Sequence, residues 1–469
     1  MGKRHTLQDR DEPNLLEDIF PYHSVPRITF SGPVLEEIDG QVVRFDPADL
    51  QRREIVITDT SFRDGQQARP PYATEQVVRL YDMLSQLSGP NGVVRWTEFF
   101  LYTNKDREAV DKCRALGRRY PEITGWIRAD RGDFRLVTEM GLAESGMLTS
   151  CSDYHIFHKQ RQTRREAFDT YLGLVKDALS AGVRLRCHME DITRADIDGF
   201  VLPFVEAVME LSEQVPEHLK VKIRLCDTMG YGVTYPGAAL PRSIPKLIYR
   251  ITHDAGVPSE RLEWHGHNDF HKVHVNAVTA WLYGANAVNT TLFGFGERTG
   301  NPPLEGALVE YAGLKGTLNG ADLRMVTEIA EYMRSIGVQI PHHYPLAGAN
   351  FNRTMAGIHL DGLRRDERVY NIFDTRELLG QPPRIAITDK SGVEGIVLWV
   401  NQFLGLSSSD GVSLTKVVKL ARWVRDQYEV EGRLTGISDQ ELEAQVAQHL
   451  PELYEQRKSK VESPKSKDV

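Results

Sequence analysis

From residue 54 to about residue 319, short apolar runs alternate with longer amphipathic stretches. Apolar runs of strand length that alternate with segments of helical period are typical of βα units and of a parallel sheet. The predicted strands are 54–59, 94–100, 123–129, 145–150, 183–190, 221–227, 262–267 and 286–291. Eight strands with intervening helices predict an α/β fold of the (β/α)8 TIM-barrel type, whose usual length is about 250 residues.

A doubly wound open sheet is the main structural alternative. Such a sheet would carry a glycine-rich phosphate-binding turn after its first strand. Here the first strand is followed by TSFRDGQQ (60–67), which does not fit that turn. The pattern therefore favours the closed barrel, and we expect an apolar barrel interior beneath the polar strand ends.

The rest of the chain is predicted to flank the barrel. Residues 1–50 contain five prolines and no clear period, which predicts an N-terminal arm before a barrel domain at 51–319. Residues 320–455 predict C-terminal, mainly helical subdomains, with a linker helix, a mixed segment and a helical tail. Residues 456–469 are highly charged, and we expect them to be disordered.

Composition and charge argue against some classes of function. The chain has 469 residues and a formal net charge of −8, whereas nucleic-acid-binding proteins usually present a basic face. No stretch approaches the ~18 apolar residues of a membrane span, and the N-terminus lacks the apolar core of a signal peptide. The four cysteines form no CxxC pair. We therefore expect a cytoplasmic protein that binds neither nucleic acid nor membrane.

A divalent-metal site is predicted where three neighbouring strands end, because catalytic side chains of TIM barrels lie at the C-terminal strand ends. The seventh strand ends with His265 and His267, and their i, i+2 spacing puts both on one side. The loops after the first and eighth strands supply Asp64 and Asn301. These ligands favour Mn²⁺, with Mg²⁺, Co²⁺ or Zn²⁺ as alternatives. Histidines that only line the barrel are the structural alternative.

Arg63 precedes the predicted ligand Asp64. An arginine beside a cation is suited to stabilise a developing oxyanion, so Arg63 is a predicted catalytic residue. A salt bridge between Arg63 and Asp64 is the structural alternative.

Further polar side chains close the other predicted strands and predict a polar substrate pocket. The predicted substrate-binding residues are Glu98, Arg128, Ser152, His188 and Thr228. Arg128 is the best candidate for a substrate carboxylate, because a guanidinium can bind one with two parallel hydrogen bonds. For each of these residues, a hydrogen bond to a neighbouring side chain is an equally good explanation.

Four motifs give the chain a family resemblance. DTSFRDGQQ (59–67), HGHNDFHKVHVNA (265–277), FGFGERTGNPPLEG (293–306) and FNRTMAGIHLDG (351–362) together resemble the DRE-TIM metallolyase superfamily. Because the chain continues past the barrel with the last motif, it is most similar to the Claisen-condensing branch of 2-isopropylmalate, homocitrate and citramalate synthases. Within that branch, longer runs such as LTSCSDYHIFHK and CDTMGYGVTYPGAALPRS look most like the Re-type citrate synthases.

The resemblance implies roles for individual residues. The predicted metal ligands match the metal positions of the family, and Arg63 matches the residue that polarises the keto oxygen. Glu190 and His359 match the base system, while Tyr370 matches less well because the spacing around it differs. The implied substrates are acetyl-CoA and a 2-oxo acid, here oxaloacetate giving citrate and CoA, and the implied assembly is a homodimer or larger homo-oligomer.

Three alternatives remain at this point. The acceptor could be that of a 2-isopropylmalate, homocitrate or citramalate synthase. The metal site could also serve a lyase or decarboxylase. A third alternative is a metal-binding regulatory or scaffold protein on an inactive barrel.

Overall fold

The computed structural model describes residues 5–67, 69–355, 359, 362–363, 365–406 and 411–462. The chain divides into two compact units. The barrel unit is Val25–Gln339, and the second unit combines Met1–Ser24 with Ile340–Val469. Residues 25–50 and the helix after residue 319 are thus grouped with the barrel, whereas the predicted barrel domain is 51–319.

The barrel unit begins with a hairpin in which β1 (Val34–Ile38) pairs antiparallel with β2 (Gln41–Phe45). The following eight strands are β3 Val56–Asp59, β4 Val94–Phe99, β5 Glu122–Arg128, β6 Glu144–Ser150, β7 Arg184–Glu190, β8 Lys222–Asp227, β9 Leu262–Gly266 and β10 Ala287–Thr290. They are parallel, and β10 pairs with β3 to close the barrel. The predicted TIM barrel is confirmed, and each predicted strand overlaps an observed one.

The helices of the barrel unit follow the strands along the chain. They are α1 Ala48–Arg52, α2 Thr74–Ser88, α3 Asn104–Ala115, α4 Arg131–Glu139, α5 Arg164–Ser180, α6 Leu202–Glu213, α7 Ile244–His253, α8 Val273–Tyr283, α9 Leu304–Lys315 and α10 Arg324–Ser335. Helix α7 shows how the sequence specifies them. Ser243 caps its first turn, and Ile244, Leu247, Ile248 and Ile251 form one buried stripe at helical spacing.

The prediction of an apolar barrel interior is wrong. Five charged side chains fill the interior below the strand ends, and we call them the ionic layer: Glu98, Glu144, Arg186, Arg224 and Glu263. Glu98 on β4 contacts Arg224 on β8, and because β4 and β8 are not neighbours, this contact crosses the interior. Intervening apolar residues such as Leu185 and Leu225 point outward, as strand alternation requires.

The second unit is mainly helical. Its helices are α11 Thr375–Leu379, α12 Gly392–Leu404, α13 Leu414–Glu429, α14 Asp439–His449 and α15 Pro451–Glu462. Two short strands, β11 (Arg353–Thr354) and β12 (Arg384–Ile385), pair in parallel. Trp399, Leu420 and Leu442 lie in the apolar core that joins α12, α13 and α14.

The C-terminal residues differ from the expectation in part. Residues 456–462 of the predicted disordered tail belong to helix α15, and 463–469 lie outside the described residues. Of the GIH segment, His359 is described and residues 357 and 358 are not. Across the described ranges, no helix has both the length and the apolar character needed to cross a membrane.

Candidate active site

Three of the predicted metal ligands meet at the C-terminal end of the barrel. Asp64 Oδ2 lies 3.7 Å from His265 Nε2 and 3.8 Å from His267 Nε2. The two Nε2 atoms are 3.3 Å apart, and all three side chains are buried. Ligand atoms about 2.0–2.2 Å from one ion stand about 3–4 Å apart, so the three atoms can share a single cation.

A hydrogen bond fixes the tautomer of His265. Its Nδ1 lies 2.8 Å from Asn289 Oδ1, to which it donates, so Nε2 carries a lone pair toward Asp64. Asn289 in turn donates to Thr58 Oγ1 at 2.9 Å. Two acceptors, Nε2 and a carboxylate oxygen, therefore face each other, which is the arrangement that a cation between them would stabilise.

Asn301 contributes to the same cluster through its amide. Its Nδ2 donates to Asp64 Oδ2 at 2.7 Å. Its buried Oδ1 has no hydrogen-bond partner among the described residues, and a Cβ on Gly296 would collide with it. Asn301 is thus a donor to Asp64 here, and its role as a fourth ligand stays a prediction. We call Asp64, His265, His267 and Asn301 the metal-facing cluster.

The protonation states of Asp64 and His265 are those of metal ligands. Burial alone would raise the pKa of Asp64, but the charge of Arg63 and then the two imidazoles lower this pKa to about 2. Burial, reinforced by His267, lowers the pKa of His265 to about 3. At neutral pH the carboxylate is therefore ionised and the His265 imidazole neutral, as metal binding requires.

Arg63 reaches into the site with loose contacts. Its Nη1 is 3.6 Å from Asp64 Oδ1, and its Nη2 is 3.4 Å from Glu98 Oε2. The guanidinium carbon lies 5.2 Å from the centre of the Trp126 ring. Its buried Nε has no hydrogen-bond partner in the described part of the chain. Arg63 therefore retains hydrogen-bonding capacity beside the metal-facing cluster.

Glu98 and His188, both predicted to bind substrate, lie in the barrel interior. Glu98 accepts hydrogen bonds from Arg186 Nη2 at 2.6 Å, Arg224 Nη1 at 2.8 Å and Thr60 Oγ1 at 3.0 Å. His188 Nε2 lies 3.3 Å from Glu98 Oε1. Burial would raise the pKa of Glu98, but the two guanidiniums hold it well below its usual range. These contacts give both residues internal partners.

Glu190 lies in a second polar cluster at the ends of β6 and β7. Its carboxylate accepts from Ser150 Oγ and from Lys159 Nζ at 2.8 Å, and His155 Nδ1 is 2.9 Å away. Burial would raise its pKa, but the His155 hydrogen bond and the Lys159 charge lower it to about 2. A carboxylate with this pKa is a weak base, and it is better suited to orient a neighbouring group.

His155 and Lys159 were not singled out in the sequence. They lie on the turn of π-helix Tyr154–Lys159 that follows β6. Both belong to the run LTSCSDYHIFHK, whose resemblance to the synthases does not by itself assign roles to single residues. Their positions, five and nine residues after the end of β6, were the available signal.

Ser152 and Thr228 both contact Asp191. Ser152 Oγ donates to Asp191 Oδ2 at 2.5 Å, and the Asp191 backbone N–H donates to Thr228 Oγ1 at 2.9 Å. Asp191 adopts a left-handed conformation with φ of 67°, which these contacts hold in place. The two residues thus shape the loop after β7.

Arg128 lies at the end of β5 with 66% of its side chain exposed. Its Nε and Nη2 each donate to Asp133 at 2.8 Å, which occupies one edge of the guanidinium. The edge that includes Nη1 remains available for a second carboxylate.

His359 and Tyr370 lie together in the second unit. Their ring centres are 4.5 Å apart with the planes tilted by 43°. His359 is exposed, and so is Tyr370. The structure thus brings together Arg63 and the metal-facing cluster in one unit, and His359 and Tyr370 in the other.

The fold and site agree with the family comparisons. A family model described as HMGL-like matches residues 54–333, and the chain belongs to this family. Citrate (Re)-synthase of Syntrophus aciditrophicus strain SB is 54% identical over 454 residues, which cover 96% of this chain and 70% of that protein.

Two other curated proteins match over almost their full length. Citrate (Re)-synthase of Clostridium kluyveri is 46% identical over 454 residues, covering 96% of this chain and 97% of that protein. The 2-phosphinomethylmalate synthase of Streptomyces hygroscopicus is 35% identical over 445 residues, covering 93% and 97% respectively. The resemblance inferred from the sequence motifs is confirmed.

Proposed function

We propose that this chain condenses acetyl-CoA with oxaloacetate to give citrate and CoA, as an acyltransferase of the Re-citrate synthase type. The observation that carries the proposal is the cluster of Asp64, His265 and His267, whose ligand atoms face one point beside Arg63. The 54% and 46% identity to citrate (Re)-synthases supports oxaloacetate as the acceptor.

A divalent ion in the metal-facing cluster would supply Lewis-acid polarisation of the keto group. Arg63 is placed to donate hydrogen bonds to the keto oxygen as negative charge develops there. Arg128 is a candidate for an acceptor carboxylate through its free guanidinium edge. We favour Mn²⁺ because the ligands are imidazole and carboxylate groups without thiolate.

The methyl group of acetyl-CoA must lose a proton before a carbon–carbon bond can form. We assign this proton transfer to His359, because an imidazole is a better base than a carboxylate with the lowered pKa of Glu190. Tyr370 lies against the His359 ring and can orient it. Glu190 remains a member of the base system through its charge, and hydrolysis of the thioester then releases CoA.

We also propose a homodimer or larger homo-oligomer in the cytoplasm. Val369, Tyr370 and Ile372 are each about half exposed and line a cavity of about 1130 Å³ in the second unit, and Tyr370 lies against His359. Exposed apolar patches of this kind often mark interfaces. All four cysteines are free and buried, as is usual in a reducing compartment. Light scattering coupled to gel filtration tests the assembly.

The test of function is a free-thiol assay with the full chain, acetyl-CoA and one 2-oxo acid at a time. We expect CoA release with oxaloacetate and little with pyruvate, 2-oxoisovalerate or 2-oxoglutarate. Chelation should abolish turnover, and Mn²⁺, Mg²⁺, Co²⁺ and Zn²⁺ are then added back separately. No CoA release with oxaloacetate would exclude the proposed acceptor, and cleavage of citrate analogues without CoA would favour a lyase.

A further inference from the structure

The ionic layer determines how strongly Glu98 can pair with Arg63. Glu98 accepts from Arg186 at 2.6 Å and from Arg224 at 2.8 Å, which are lengths of strong charge-assisted hydrogen bonds. Arg63 Nη2 stands 3.4 Å from the same carboxylate, beyond the usual range of about 2.7–3.2 Å. The carboxylate is thus engaged mainly by the two interior arginines.

Four charges of the layer balance one another without Arg63, and its fifth member, Glu144, also pairs with Lys222 and Arg184. Glu98 and Glu263 face Arg186 and Arg224, and all four side chains are at most 2% exposed. Arg224 spans the two carboxylates, with Nη1 on Glu98 and with Nε on Glu263 at 2.7 Å. Because Glu98 is already neutralised, the charge of Arg63 remains uncompensated except by Asp64, which is itself a proposed metal ligand.

We propose that Arg186 and Arg224 are positioning residues that prevent Glu98 from pairing fully with Arg63. With Glu98 held back, the Arg63 guanidinium keeps free donors and charge for the acceptor oxygen. Arg224 and Arg63 both face Glu98 Oε2. Without Arg224, this oxygen would pair more closely with Arg63, whose N–H groups would then no longer be available to the acceptor oxygen. This inference rests on the proposed function, because it assigns Arg63 to the developing oxyanion.

The test compares three variants in the citrate-forming assay. Arg224→Met should lower kcat by about 30- to 100-fold, on the scale of losing an oxyanion donor, with little change in KM for acetyl-CoA. Arg224→Lys keeps a cation near Glu98 but cannot span both carboxylates, so it should recover part of this loss and not all of it. Glu263→Gln alters the same buried pair but leaves Arg224 on Glu98, so its kcat should stay within about threefold of the unchanged chain.

Folding is checked separately in each variant. Circular dichroism and Mn²⁺ stoichiometry give the folded and metal-competent fraction, and kcat is expressed per metal-competent chain. If Arg224→Met is unstable, the Arg224→Lys and Glu263→Gln pair still decides the question, because only the lysine variant should show a kcat deficit.

The outcomes separate this inference from the proposed function. Unchanged kcat in both Arg224 variants, or an equal loss in Glu263→Gln, would overturn the positioning role while citrate formation by the unchanged chain stands. Failure of the unchanged chain to form citrate would instead reject the proposed function.

Discussion

The metal-facing cluster and the ionic layer are two buried polar groups in the same barrel, and they differ in how fully their atoms are paired. Every carboxylate and guanidinium of the ionic layer has a partner in the described structure. In the metal-facing cluster and the adjacent Arg63, three buried atoms have no hydrogen-bond partner among the described residues: His267 Nδ1, Asn301 Oδ1 and Arg63 Nε. Because unpaired buried polar atoms are costly, three of them beside the Asp64 carboxylate indicate a ligand site.

In the ionic layer, the buried charged side chains are paired with one another. Glu98, Arg186, Arg224 and Glu263 are as deeply buried as the metal-facing cluster, yet each pairs with side chains from other strands. A closed network of this kind fixes side-chain positions, and removing one partner leaves an uncompensated buried charge, which is strongly destabilising. We therefore expect substitutions in the ionic layer to change mainly stability and positioning, and those in the metal-facing cluster to change mainly metal binding.

The largest expected effect is on turnover when the metal-facing cluster loses its carboxylate. Asp64→Asn should reduce turnover by roughly 10³-fold, because the amide cannot replace the ionised ligand. The same substitution at Asp59 is the matched control, since Asp59 is equally buried but bonds to Ser61 and Thr97 away from the cluster. Mn²⁺ titration and steady-state kinetics measure both variants. Unchanged Mn²⁺ binding in Asp64→Asn would contradict the role of Asp64 as a metal ligand.

Next in size is the stability loss when the ionic layer is opened. Arg186→Met leaves Glu98 and Glu144 short of a partner and should lower the free energy of unfolding by about 3–5 kcal/mol. Arg118→Met removes a surface pair with Asp82 and should cost less than about 1 kcal/mol. Denaturant unfolding gives both values. Equal costs in the two variants would contradict a structural role for the layer.

The ionic layer should also make the protein acid-sensitive. Burial would raise the pKa of Glu144, but Lys222, Arg186 and Arg184 lower it to about 2 from an ordinary 4.5. A folded-state pKa below the unfolded one stabilises the fold above about pH 4.5, and this stability is lost as the pH falls toward 2. The contribution should be on the order of 3 kcal/mol.

Thermal melts between pH 6 and pH 2.5 test this contribution against Glu144→Gln. The unchanged chain should lose stability more steeply than the variant over this range. Parallel pH profiles for the two proteins would show that Glu144 is not responsible.

The smallest expected effect concerns the residue behind His265. Asn289→Ala removes the acceptor that orients the imidazole and should weaken Mn²⁺ binding by about 10- to 100-fold. Asn286→Ala is the control. Asn286 lies immediately before β10, and its side chain donates a hydrogen bond to the Glu54 carbonyl, away from the site. Equal Mn²⁺ affinity in the two variants would mean that His265 needs no such orientation.

Sequence reasoning could predict the barrel and the meeting of Asp64, His265 and His267. The strand period and the i, i+2 spacing of the histidines are local patterns. One topological rule, the closure of β10 on β3, brings the two histidines close to Asp64. The ionic layer could not be predicted, because each of its charged side chains pairs with side chains on other strands. Glu98 and Arg224, for example, are 126 residues apart in the sequence. Arg128 differs, because its partner Asp133 lies only five residues along the chain, in α4, and a polar strand end alone does not distinguish such a pair from a substrate contact.

The most direct test of the central claim is a Mn²⁺ titration followed by electron paramagnetic resonance, with the full chain and with His265→Ala. We predict one tightly bound Mn²⁺ per chain with nitrogen hyperfine coupling, and loss of that signal in the variant. The account would be contradicted if a stoichiometric Mn²⁺ signal persisted in His265→Ala, or if the unchanged chain had no tight Mn²⁺ site. Either result would mean that the metal-facing cluster does not bind the catalytic metal ion.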